Sequence, residues 1–386
     1  MPSNDREGDV QPLLITRFSL TNRTAIGVQT IHYCNGIGNA RHLYWEDLTL
    51  QRPARSVRLE RPVLSRLAIF RRPGPAASAA RALGLSLWRG DVLSGAGRRV
   101  VERLAATTGS VYVAPIGGAD ATRMRHLLEI LGKPFVVHLW DMLDGPPQPG
   151  GDLAWLIDHA AGVLSLTREM AQASGRSDAE LLFFMRPDSA VRAAAPVDPQ
   201  RLRVALIGDI GSYAAGLPAM QAATEALRAR GIAVEWRYIG WRGIVRRLDP
   251  ALRDMLTLAG PARTDAARDE ALAACHFALM LGPTQPPETN HRSAYSVPSR
   301  VLDFGALGLP VIGFVHPRSA TATFAPELAE TMCQPDGAAL AACMETLSDP
   351  ARWREASERS RRFFERVVGT RPAEQLRAEL ARISPR

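Results

Sequence analysis

The sequence predicts an α/β protein made of two βα halves, each folded around a largely parallel sheet. Three observations lead there. Short apolar runs alternate with longer amphipathic stretches along most of the 386 residues, the pattern of strands joined by crossover helices. A stretch rich in Ala and Pro without apolar periodicity, RAAAPVDPQR at 192–201, interrupts the alternation, which then restarts. The length is enough for two domains of roughly 150 to 200 residues each. The expected organisation is an N-terminal domain over 1–195 and a C-terminal domain over 196–348. A charged helical tail over 349–386 is expected to pack back on the N-terminal domain.

In the first half PLLITRF (12–18) reads as a strand, and TAIGVQTIHYCNGIG (24–38) as a helix entered through a glycine-bearing loop. HLYWEDL (42–48) and RLAIF (66–70) are candidate strands. SVYVAPI (110–116) is a strand followed by the helix ATRMRHLLEILG (121–132). PFVVHLW (134–140) and GVLSL (162–166) are strands on either side of the short helix LAWLIDHA (153–160). REMAQASG (168–175) is a helix closed by Gly175. In the second half the expected strands are RVALIGDI (203–210), AVEWRYIG (233–240), LTLAG (256–260), HFALMLG (276–282) and LPVIGFV (309–315). The expected helices are 217–231, one near 245–255, 267–275, about 300–307, and the tail.

Composition narrows the function classes. No window approaches the ~18 to 20 consecutive apolar residues that cross a bilayer. The polar start MPSNDREGDVQ has no apolar core, so a cleaved secretion signal is not expected. Cys34, Cys275, Cys333 and Cys343 form no CxxC pair and read as reduced thiols of a cytoplasmic protein. The net charge is +8, and Lys133 is the only lysine among the basic residues. Arginines concentrate at Arg52, Arg55, Arg58, Arg61, Arg66, Arg71 and Arg72. They form either a solvated surface or a peripheral contact with the anionic inner face of a membrane. Without aromatic interleaving or a recognition-helix pattern, nucleic acid is not an expected partner.

Open α/β sheets bind ligands beyond the carboxyl ends of their strands, and two such halves facing each other place a ligand in the cleft between them. Strand ends in the second half carry Gly208 and Asp209, Gly240 with Trp241 and Arg242, and Gly282. Glycine there admits a ligand to the backbone, or simply makes a tight turn; both readings stand. The segment SVPSRVLDFGALGLPVIGF (296–314) sets one acid, Asp303, among apolar helical positions. Ser299 sits where it would cap that helix, and Arg300 at its mouth would reach a phosphate. Asp303 would accept hydrogen bonds from a ribose, or pair structurally with an arginine.

This segment resembles the donor-binding motif of GT-B glycosyltransferases, especially the large retaining family that uses nucleotide sugars. Asp303, Gly308 and Pro310 match its spacing of an acid, then a Gly-x-Pro-aliphatic turn. CHFALMLGP resembles the strand leading to the donor loop, RVALIGDI the first donor-domain strand, and FVVHLWD a strand ending in an active-site histidine, here His138. The resemblance spans about 110–315. It implies two Rossmann-like domains facing across a cleft, a nucleoside-diphosphate sugar as donor, a glycan or lipid-linked acceptor, and no metal or other cofactor. It places His138 on the sugar, with Asp141 beside it. Tyr295, Pro298, Ser299, Arg300 and Asp303 fall on the donor. The loop SLTNRTAIGVQT, with Arg23, Thr24 and Gly27, falls on the acceptor.

The chain departs from the family pattern in three places. Tyr295 stands where the family has a glutamate, eight residues before the motif acid. Asp303 is shorter than the usual Glu. No basic residue lies between Ile210 and Leu227, where the family has the Arg and Lys that neutralise the diphosphate. Arg300, then Arg242, are the replacement candidates, and Glu288 would stand in for the missing acid. A scaffold that kept the fold without catalysis, and a nucleotide-sugar epimerase, are the competing readings.

Overall fold

The computed structural model describes residues 11–17, 25–38, 40–45, 49–52, 58–60, 88–186, 193–208, 210–262 and 264–384. Two units divide the chain: the first runs to Met185 and resumes at Arg371, and the second is in essence Arg186–Thr370.

The first unit is an eight-stranded sheet with order β10-β9-β8-β7-β1-β2-β3-β4. Its strands are β1 (Gln11–Thr16), β2 (Arg41–Tyr44), β3 (Thr49–Arg52), β4 (Arg58–Glu60), β7 (Thr108–Val113), β8 (Phe135–Leu139), β9 (Gly162–Ser165) and β10 (Glu180–Leu181); β5 (Trp88–Arg89) and β6 (Val92–Leu93) form a separate hairpin. The six strands from β10 to β2 are parallel, and β3 and β4 extend the edge antiparallel. Leu13, Leu14, Val111, Tyr112, Val136 and Val137 are fully buried, as expected of parallel strands covered on both faces. Helices α1 (Ala25–Ile37), α2 (Gly95–Ala105), α3 (Gly118–Leu131), α4 (Asp152–His159) and α5 (Arg168–Ala173) supply the crossovers. The expected strand 66–70 lies outside the described residues.

The second unit is an all-parallel sheet with order β13-β12-β11-β14-β15-β16. Its strands are β11 (Arg201–Ile207), β12 (Ala233–Ile239), β13 (Leu256–Leu258), β14 (Phe277–Leu281), β15 (Val311–Phe314) and β16 (Met332–Cys333). In order of appearance this is 3-2-1-4-5-6, the doubly wound arrangement, with its switch point between β11 and β14. The helices are α6 (Leu217–Arg228), α7 (Arg242–Val245), α8 (Pro250–Asp254), α9 (Asp265–Ala273), α10 (His291–Tyr295), α11 (Arg300–Ala306), α12 (Ala320–Phe324), α13 (Gly337–Ser348) and α14 (Pro350–Gly369). The single helix expected near 245–255 is two. Pro250 cannot continue α7, and Asp249 instead caps α8 by accepting from Ala251 N at 2.9 Å.

Two expectations about boundaries change. The segment expected as a linker is bonded to the second unit: Ala194 N donates to Leu307 O at 3.1 Å and Ala195 N to Ala273 O at 2.8 Å. The division therefore falls earlier, at Met185–Arg186. The tail does not pack as one piece either. Trp353 Nε1 donates to His276 O (2.8 Å) and Ser357 Oγ to Gly308 O (2.6 Å), fixing α14 on the second unit. Arg371, in the left-handed region at φ 50°, and Pro372 then break the helix. The last helix, α15 (Pro372–Ile383), buries Leu376 and Leu380 and packs on β7 and β8 of the first unit.

Candidate functional site

At a switch point the chains leaving two adjacent parallel strands turn to opposite faces, so a crevice opens beyond their carboxyl ends. In the second unit β11 and β14 pair only at Val204–Phe277 and Ala205–Ala278, so their last residues splay apart. A cavity of about 330 Å³ lies at the end of β14. Tyr213, from the 3-10 turn Gly211–Gly216 that follows β11, lines one side. Gly282, Thr284 and Gln285, which follow β14, line another, with Asn290 and Arg292 at the start of α10. Gly216, where the 3-10 turn passes into α6, also lines the cavity. The size is at the lower end of that of small-molecule sites.

Arg300 stands beneath this crevice. Its guanidinium donates to Ile207 O at 3.0 Å and to Leu281 O, the last carbonyls of β11 and β14. It lies 5.7 Å from the ring centroid of Tyr213. The splayed strand ends leave these carbonyls without each other as neighbours, and Arg300 satisfies both. A phosphate contact was expected of this residue; the structure commits its guanidinium to the main chain. Gly208 follows β11 at φ +85°, a backbone that a side chain would strain, and its carbonyl accepts from Tyr238 Oη at 2.8 Å. The space beside Gly240 belongs to the same tyrosine, since a Cβ there would come within 2.2 Å of Tyr238 Oη. At Gly282 a Cβ would meet Val315 Cγ1 at 2.6 Å. Gly240 answers to packing by the chain itself, whereas Gly282 packs against Val315 and also lines the cavity.

Asp303 takes part in a buried ionic network. Its Oδ1 accepts from Arg186 Nε at 3.1 Å and lies 3.0 Å from Arg268 Nη2. Arg186 also binds Asp269, and Arg268 pairs with Asp265 at 2.9 Å. The Arg186 side chain is 2% exposed, so its charge depends on these partners. The expected ribose clamp is thus occupied at Oδ1 by the chain's own arginines, and Asp303 does not line the cavity. Ser299 makes no capping hydrogen bond, because its φ and ψ of −58° and −24° are already helical. The far end of α11 closes as expected. Gly308 (φ +59°) and Leu309 donate to Gly305 O and Phe304 O, both at 2.9 Å, a Schellman closure, and Pro310 then leads into β15.

The chain is similar to solved structures over nearly its whole length. Anabaena Alr3699/HepE, solved in complex with UDP and glucose, matches with a TM-score of 0.59 at 12% identity, covering 96% of this chain and 99% of that one. AviGT4, a glycosyltransferase involved in avilamycin A biosynthesis, matches with a TM-score of 0.52 at 15% identity, covering 97% of each chain. The fold is GT-B. No family model matches the sequence, and no curated protein matches it.

In this GT-B chain the first sheet treats its expected catalytic residue differently. His138, at the end of β8, is fully buried. Its Nδ1 accepts from Trp140 Nε1 at 2.8 Å and lies 2.7 Å from Tyr112 Oη, while Nε2 donates to Leu182 O at 3.1 Å. Burial pushes its pKa down to about 3, only partly opposed by the Leu182 carbonyl. The sugar contact expected of this ring would need it exposed; here it is buried and engaged by the protein at both nitrogens. Asp141 is half-buried just past the strand and is not among the partners of that ring.

The remaining candidates divide. Trp241, 41% exposed, and Arg242, also exposed, follow β12 at the start of α7, outside the cavity lining. Tyr295 is half-buried at the end of α10 with its ring stacked on His291, and the carbonyl of Pro298 accepts from Val301 N at 3.2 Å. Glu288 is exposed and paired bidentately with Arg318 at 2.6 and 3.2 Å. Gly27 is within α1 rather than in the loop before it. Arg23, Thr24 and Asp209 lie outside the described residues. Among the described residues there is no group of three or more His, Cys, Asp or Glu that could hold a metal, and no helix long and apolar enough to cross a membrane.

Sequence reasoning passed over Tyr213, Gln285, Asn290 and Arg292. From the loop between β14 and α10 it singled out Gly282, which does line the cavity, and Glu288, which does not. The available signal was positional: residues that follow the first and fourth strands of a doubly wound sheet flank its switch point.

Proposed function

We propose that this protein is a glycosyltransferase that takes a sugar from a nucleoside diphosphate sugar held in the second unit, at the crevice between β11 and β14. One observation carries the reading: in a GT-B chain, a cavity lined by an arginine and by no acid lies at the switch point of the doubly wound sheet. In the reaction the bond between the anomeric carbon and the β-phosphate oxygen breaks, and its electron pair stays on that oxygen. The acceptor hydroxyl oxygen bonds the same carbon, and its proton passes to the departing diphosphate. Positioning and charge stabilisation would supply the acceleration. Transfer of a hexose with retention, to a glycan or lipid-linked acceptor at the cytoplasmic membrane face and without a metal, is the detailed form of this proposal.

The test is to incubate the protein with UDP-, GDP-, ADP- and dTDP-hexoses and a mixture of glycan and lipid-linked acceptors that supplies the acceptor hydroxyl, with and without EDTA, and to measure released nucleoside diphosphate. Release well above the enzyme-free rate from one donor class, unchanged by EDTA, is expected. A second reading, a nucleotide-binding scaffold, is favoured by the commitment of Asp303 and Arg300 to the protein itself. Nucleotide binding with no release from any donor would select it.

A further inference from the structure

We infer that Arg292 is the cation that receives the diphosphate, in place of the basic pair absent after β11; this rests on the donor site proposed above. The other arginines near the crevice have work elsewhere. Arg300 is bonded to two strand-end carbonyls, and Arg318 is paired with Glu288. Arg242 lies outside the cavity lining. Arg292 lines the cavity, is exposed, and makes no side-chain hydrogen bond or ion pair among the described residues.

Its placement is built rather than incidental. Ser293, fully buried, donates from Oγ to Gln285 O at 2.6 Å. Asn290 Oδ1 caps α10 by accepting from Ser293 N at 3.2 Å, and its Nδ2 donates to Gln285 Oε1. These bonds tie the start of α10 to the loop leaving β14, so the backbone of Arg292 is held at the rim while its side chain stays uncommitted. Gly216, the residue before α6, lines the same cavity, and no acid does. A planar guanidinium in a cavity lined by no acid suits a group with several anionic oxygens, and a diphosphate more than an uncharged nucleoside.

The test measures binding of UDP, GDP, ADP and dTDP, and of their nucleosides, by calorimetry to the full chain and to Arg292→Ala, Arg292→Lys and the remote control Arg230→Ala. The expected result is that Arg292→Ala weakens the preferred diphosphate at least about tenfold. Its nucleoside should change less than about twofold, Arg292→Lys should fall between, and Arg230→Ala should match the parent protein. The salt dependence of diphosphate binding should also become shallower in Arg292→Ala. If the parent chain binds a diphosphate and both Arg292 variants, folded by their melting curves, bind it equally well, this inference is overturned while the donor site stands. If the parent chain binds none of the four at millimolar concentration, the donor site itself is overturned, and this assignment with it.

Discussion

Two neighbouring stretches after β14 carry opposite kinds of polar residue. Helix α11 holds Arg300 and Asp303, both committed to other parts of the second unit. The loop and short helix before it, 283–295, hold Arg292 at the cavity rim, unpaired among the described residues, and Glu288 in an exposed pair. The stretch with the strong pattern is the one that organises the interior. The stretch with little pattern presents groups to solvent. A charged residue set among buried apolar neighbours must be paired, so strong patterning around it is also a sign of internal partners. Groups meant for a ligand need to remain unpaired, and loops on a rigid sheet provide that.

The most severe test of this contrast is at the committed end. Arg186→Met removes the shared partner of Asp269 and Asp303, and should cost about 3 to 5 kcal/mol in denaturant unfolding of the second unit. A loss below about 1 kcal/mol would mean that the network is hydrated and that Asp303 is available to a ligand after all.

The first sheet offers an intermediate test, because His138 is likewise a polar group committed inward. Its folded pKa of about 3 lies below the ordinary 6.5. The ring therefore contributes its full stability above about pH 6.5, and that contribution is lost as the pH falls towards about 3, at about 1.4 kcal/mol for each unit of pKa difference. The parent protein should lose stability across pH 6.5 to 4 more steeply than His138→Asn, measured by urea unfolding at each pH. Parallel curves would show that the ring is accessible to protonation and not confined as described.

The smallest effect is expected at the uncommitted end. Glu288→Gln breaks only an exposed pair with Arg318 and should leave the melting temperature and the diphosphate affinity unchanged within error. A tenfold drop in sugar transfer with unchanged affinity would instead bring Glu288 to the sugar and narrow the contrast between the two stretches.

Much of the architecture was legible from local pattern. The strands 203–210, 233–240 and 276–282 were each found within a few residues, because buried parallel strands are continuous apolar runs. Gly308 and Pro310 ended α11 where the sequence placed the turn. The site was less legible. Whether Gly240 makes room for a ligand or for Tyr238, and whether His138 faces a sugar or Leu182, depends on partners distant in the chain: Tyr238 reaches Gly208 and His138 reaches Leu182. Helix α13, the β5–β6 hairpin and the antiparallel strands β3 and β4 were not anticipated.

By itself, then, the sequence determined two α/β halves, though not where they divide, and the helix and turn around Asp303, since propensity, periodicity and turn chemistry act over a few residues. Only the tertiary structure decided which charges are paired. Arg186, Arg268 and Asp303 meet from three separate segments, and that meeting distinguishes a buried ionic network from a nucleotide clamp. The same long-range packing leaves Arg292 at the crevice without a side-chain partner among the described residues, which no local pattern around residue 292 could have conveyed.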